Sequence, residues 1–140
     1  MEEGLEKIEA YGLSYDLAIR IHRMTLTLPK FESFEEGSQV RRSSKRVSAC
    51  IVEGFTLRKY KALYLNFLYR GLASSDETQL HLKFLRTTGS LASEETSKGL
   101  LNRAQHVSGK LFSFICSVEQ NHQTPRYLDR LAGEAPKDLH

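Results

Sequence analysis

Apolar residues recur along this chain at spacings of three, four and seven, the period of a helix with one face turned inward. Ile8, Tyr11, Ala18, Ile21, Thr25 and Leu28 form the first such stripe. Pro29 disfavours helix for the residue before it, so a helix is predicted over residues 9–28, with Gly12 tolerated at ~1 kcal/mol. Ser14 is an alternative N-cap that would start this helix later. Ser33-Phe34-Glu35-Glu36 reads as a capping box: Ser33 accepts from the Glu36 backbone and Glu36 reaches back. The helix behind it, residues 34–53, would stop at Gly54, just past its end, where glycine is favoured. At ~100° per residue, Val40, Ser44, Val47, Ile51 and Gly54 share one face, and Arg41, Arg42, Lys45 and Arg46 fall roughly opposite.

A third helix, residues 59–88, ends before Gly89. Its inward stripe is Tyr60, Tyr64, Phe67, Gly71, Ser74 or Ser75, Thr78, Leu82 and Leu85, with small residues in the middle that let a neighbour come close. A second apolar set, Leu65, Leu68, Leu72 and Leu80, lies on another side. An apolar arc this wide calls for more than two neighbours, which in a four-helix protein predicts contact with another subunit. The fourth helix, residues 94–121, opens after Ser93 with Glu94 and Glu95 at its positive end. It carries Leu100, Ala104, Val107, Leu111, Ile115 and Val118 inward. Residues 123–140, with Pro125, Gly133 and Pro136, read as a flexible C-terminal tail. Residues 1–122 are therefore expected to form an all-α, antiparallel up-and-down four-helix bundle.

Length and composition agree with one domain. A chain of 140 residues can bury a core without disulfides or metal. Cys50 and Cys116 lie far apart in helical patterns, with no Cys/His cluster, so two reduced, packed thiols and a cytoplasmic setting are expected. The acidic start lacks the basic and apolar runs of a secretory signal. No apolar run approaches ~18 residues, so no membrane partner is expected.

Charge changes the picture more. Net charge is only +3. Between Arg41 and Lys61, however, stand Arg41, Arg42, Lys45, Arg46, Arg58, Lys59 and Lys61 against the single acid Glu53, a local balance of +6. The rest of the chain carries −3. Such asymmetry is the mark of an anion-facing patch, and these seven residues are candidate nucleic-acid contacts. Arg41 and Arg42 also have a structural reading, pairing with Glu53 or Glu77 across helices or subunits.

Catalytic and metal chemistry find little support. A di-metal bundle core needs Glu-x-x-His on two helices and Glu on two more. One such motif occurs, Glu119-x-x-His122, at a helix end, and Glu77 and His81 form a mid-helix pair. Both read as exposed acid–imidazole pairs. The histidines are scattered, no glycine loop for phosphate exists, and no nucleophile has a neighbouring base. The expectation is a protein that is not an enzyme and uses neither metal nor cofactor.

Several segments resemble, in order, the four-helix-bundle family encoded by intervening sequences of bacterial large-subunit ribosomal RNA genes. That family includes the accessory variability determinant of diversity-generating retroelements. The similar segments are Leu5-Glu6-Lys7-Ile8-Glu9-Ala10-Tyr11, Leu28-Pro29-Lys30, Ser38-Gln39-Val40-Arg41-Arg42-Ser43, Glu53-Gly54-Phe55, and Phe67-Leu68 with Gly71 and Glu77-Thr78-Gln79-Leu80. Ala49-Cys50-Ile51-Val52 departs from the family's Asn-Ile-Ala before Glu-Gly, and Ser74 or Ser75 replaces an acid. The resemblance implies a homopentameric ring with a basic surface and, in the retroelement branch, binding to nucleic acid and a reverse transcriptase. A protein-interaction scaffold with no nucleic-acid role is the alternative.

Overall fold

The structure, a computed structural model, describes residues 3–122. A single 3-10 turn, Leu5–Lys7, precedes α1 (Glu9–Thr25), α2 (Lys30–Phe34), α3 (Glu36–Thr56), α4 (Lys61–Thr87) and α5 (Glu94–Asn121). No strand occurs among the described residues. Four long helices make the bundle, and α2 is a short turn at its end. The flexible tail expected over residues 123–140 lies outside the described residues.

Cross-helix pairs set the directions. Ser43 meets Thr78 at 2.9 Å and Glu36 meets His81 at 2.7 Å, so α3 and α4 run antiparallel. Ser75 meets Ser108 at 2.7 Å and Tyr69 meets Glu119 at 2.8 Å, which does the same for α4 and α5. Asp16 with Arg103 at 3.3 Å and Glu9 with Lys110 at 3.3 Å close the ring from α5 to α1. The inward stripes meet in one core in which Ile21, Val40, Ile51, Leu68, Leu85, Leu111 and Ile115 are fully buried. Hydroxyl pairs thread this core, Ser14 with Ser48 and Ser43 with Thr78, so the small side chains bring helices close while remaining hydrogen-bonded.

Four local expectations are corrected. First, Ser33 caps nothing. It lies inside α2, and the Glu32 carboxylate takes its place, accepting from the Glu36 backbone N–H at 3.1 Å. Second, Gly54 does not end a helix. Helix α3 continues to Thr56, and Gly54 is where α4 comes closest: a Cβ there would lie 3.2 Å from Phe67 Cβ and 3.3 Å from the Tyr64 carbonyl oxygen. Gly89 does carry the positive φ, 83°, of a helix stop. Third, α1 starts at Glu9 as expected but stops at Thr25, short of Leu28, and Ser14, the alternative N-cap, sits buried within it, donating to the Tyr11 carbonyl. Fourth, the second apolar set of α4 is mostly covered by its own bundle. Leu68 is in the core and Leu65 and Leu72 pack against it. Leu80 remains exposed, with Phe84 one turn on, and Phe31 and Phe34 of α2 are exposed as well.

Candidate nucleic-acid interface

The seven candidate basic residues do not form one patch. Arg42, Lys45 and Arg46 are exposed on the solvent side of α3. Arg58 and Lys59 fall in the turn between α3 and α4, and Lys61 begins α4. From Arg42 to Arg58 is roughly 24 Å along a helix axis at 1.5 Å per residue.

Arg41 turns inward. Its Nη2 donates to the Ser33 carbonyl at 2.8 Å, and its Nη1 is buried with no hydrogen-bond partner among the described residues. Within the chain neither Glu53 nor Glu77 is its partner; the bond it makes ties α2 to α3. The second group is also engaged with protein. The Arg58 guanidinium stacks over the Phe55 ring at 4.0 Å and donates to the Phe55 carbonyl at 2.8 Å. Lys61 Nζ donates to the Glu119 carbonyl at 2.7 Å, helping to satisfy the end of α5. Lys59 is exposed.

The first group is different. Arg42, Lys45 and Arg46 flank a groove between α3 and α4, and the opposite wall brings in Arg70. Arg70 lies outside the basic stretch read from sequence and was missed. The signal was its neighbour: Gly71 marks the close approach of α4 to α3, with a Cβ there 3.3 Å from Cys50 Cβ. The residue just before such a crossing flanks the seam. Phe67 lies one turn earlier, with the Arg70 guanidinium 5.4 Å from its ring centre. Lys45 also touches α1, donating to His22 Nδ1 at 3.0 Å. Cys50 forms part of the floor. Burial pushes its thiol above the ordinary range, Glu53 adds to this, and Arg46 and Arg70 oppose it. Burial prevails, so the thiol stays protonated and is a packing group, not a nucleophile.

The histidines of the two expected acid–imidazole pairs are more embedded than expected, and Glu119 accepts from Tyr69, not His122. His81 is largely buried, with Nδ1 at 2.7 Å from Glu36 and Nε2 at 3.3 Å from Glu77, which ties α3 to α4. His122 donates from Nε2 to the Arg58 carbonyl and packs edge-on to Tyr64 at 5.3 Å. The two carboxylates of His81 lie on opposite sides of its ring and do not converge on a metal position. No group of three or more potential ligands capable of holding a metal occurs among the described residues. No described helix is long and apolar enough to cross a membrane.

The model of the 23S rRNA-intervening sequence protein family matches residues 6–113, from before α1 into α5. The chain belongs to that family. A crystal structure of a protein of unknown function from the S23 ribosomal protein family of Bacteroides thetaiotaomicron has the same fold. The TM-score is 0.67 at 24% sequence identity, covering 76% of this chain and 94% of that one. No curated protein matches the chain. The intervening-sequence family thus accounts for the helical fold.

Proposed function

We propose that this intervening-sequence family member is a non-catalytic, oligomeric accessory protein that binds nucleic acid through the outer face of α3. The observation that carries the reading is the gathering of Arg42, Lys45, Arg46 and Arg70 around one groove. Helix α3 bears no exposed aromatic between its basic residues, so contacts go to the phosphate backbone and little base stacking is added. In a closed ring, most simply the homopentamer suggested by the resemblance, each groove recurs once per subunit, and modest single contacts multiply through multivalency. The partner enzyme in this reading is a reverse transcriptase, with the protein supplying affinity for the template and no chemistry of its own.

A second reading has its own support. Leu80, Phe84, Phe31 and Phe34 are exposed at the α2 end of the bundle, and exposed apolar surface of this kind marks protein contacts. A scaffold that binds only protein would use that end and leave the groove idle.

The test is an anisotropy titration of structured RNA and duplex DNA across a salt series, with wild type and the Arg42→Glu/Lys45→Glu/Arg46→Glu variant. Four cations on four phosphates predict a loss of affinity on the order of a hundredfold between 50 and 200 mM salt, through counterion release. A folded variant with that binding gone supports the reading. Equal binding by both proteins, or none by wild type at low salt, refutes it in favour of the scaffold.

A further inference from the structure

The α3–α4 groove gathers four cations, Arg42, Lys45, Arg46 and Arg70, against two acids, Glu53 and Glu77. Some cations elsewhere on the bundle meet acids: Arg20 with Asp16 at 2.8 Å, Lys110 with Glu9 at 3.3 Å, Arg103 with Asp16 at 3.3 Å. Arg42, Arg46 and Arg70 have no carboxylate partner among the described residues, although they share the walls of the same two adjoining recesses. Arg42 and Arg46 lie four residues apart on one face of α3, and Arg70 faces them from α4. The recesses measure about 370 and 470 Å³, within the roughly 300–1,000 Å³ of small-ligand sites.

The groove also holds two acids, Glu53 in one recess and Glu77 in the other, whereas Arg42, Arg46 and Arg70 line both. A run of consecutive phosphates laid along the groove would meet both carboxylates. A single, highly charged anion needs only the three arginines that the recesses share. Three guanidinium groups, each able to give two parallel hydrogen bonds, match a phosphate monoester better than a diester. The monoester offers three terminal oxygens and a charge near −2, against one negative charge for a backbone phosphate. In one of the two recesses, the Phe67 ring and Glu53 offer an apolar face and a hydrogen-bond acceptor for the attached nucleoside.

We propose that the Arg42–Arg46–Arg70 groove is a phosphate-monoester site that takes a nucleotide or the terminal phosphate of a nucleic-acid strand. This rests on the nucleic-acid reading above and sharpens it: strand ends and nucleotides are preferred over continuous backbone.

Short single-stranded RNAs of one sequence, with a 5′-phosphate, a 3′-phosphate or neither, are compared by anisotropy, and AMP serves as a competitor. The expected result is binding about tenfold or more tighter for a phosphorylated end, reversed by AMP. Arg70→Gln, checked for folding and assembly, is expected to weaken all three strands by the share of one lost phosphate contact and, beyond that, to erase the difference between them. Arg70→Lys keeps the charge without the fork and should recover only part of the preference. Preference for one end with no AMP competition identifies the strand end as the source, and AMP binding without an end effect identifies the free nucleotide; both support the site. Equal binding of all three strands with no effect of AMP overturns the site yet leaves general nucleic-acid binding intact. Binding of neither strand nor AMP overturns both, and an acidic peptide that binds where AMP does not assigns the groove to a protein.

Discussion

Replacing Gly37 with alanine tests how α2 is fastened to the bundle. A Cβ at Gly37 would sit 2.7 Å from the Glu32 carbonyl oxygen and 3.3 Å from Arg41 Nη1. The first contact is with backbone, so it cannot be relieved by turning a side chain. Glu32 would have to move, and it is a buried carboxylate whose oxygens accept from the Glu36 N–H and from Ser90. The Arg41 bond to the Ser33 carbonyl lies in the same junction. Overpacking costs about 1–3 kcal/mol, and a weakened bond to a charged group about 1.5–3 more. Alanine recovers less than about 1 kcal/mol of helix propensity, because Gly37 is only the second residue of α3. The net loss is about 2–5 kcal/mol. At roughly 3–5 °C per kcal/mol for a domain of this size, Tm should fall by about 6–25 °C. Gly12 and Gly109 are the controls: both are inside helices, and a Cβ at either meets nothing within 4 Å. Alanine at these two should raise stability by about 0.5–1 kcal/mol each. Helical circular dichroism, followed through heat and urea at one fixed protein concentration, reads all three variants. A Gly37→Ala protein as stable as wild type would refute the account of this junction.

Tyr64 is held with its phenol pushed up to about 12 by burial, with Arg58 opposing. The neutral phenol is the form the fold favours, so this contribution is whole below pH ~10, the ordinary tyrosine value, and is lost as pH rises toward 12. Urea titrations should show wild type losing stability relative to Tyr64→Phe only above pH ~10; a constant difference contradicts this. His122→Ala should lower stability by about 1–2 kcal/mol, because it removes the bond to the Arg58 carbonyl and the packing on Tyr64; an unchanged melting curve would restore the view of an idle surface histidine. Leu80→Glu with Phe84→Glu should reduce the assembled mass in light scattering without loss of helicity, whereas Leu65→Glu should damage the fold itself. A double variant that assembles like wild type excludes this face as the subunit contact.

How much of this was legible in the sequence follows from the range of the interactions involved. Val40, Val47 and Ile51, or Leu100, Val107 and Leu111, declare their burial through spacing alone, because one helix presents one face. The stop at Gly89 is equally local, set by a single backbone angle. Gly54 and Ser33 carry the same local signals and mislead, because a partner decides their role. At Gly54 the partner is α4, whose Tyr64 and Phe67 leave room only for hydrogen. At Ser33 it is Glu32, one residue earlier and better placed to cap α3. The candidate site divides in the same way. A charge count finds Arg42, Lys45 and Arg46 because they are neighbours along one helix, and it includes Arg41, Arg58 and Lys61 because it cannot see the carbonyls they bind. It omits Arg70, which enters the groove from α4. Composition can therefore say that a basic face exists. Only the crossing of α3 and α4 at Gly71 determines which of its charges remain turned into the groove.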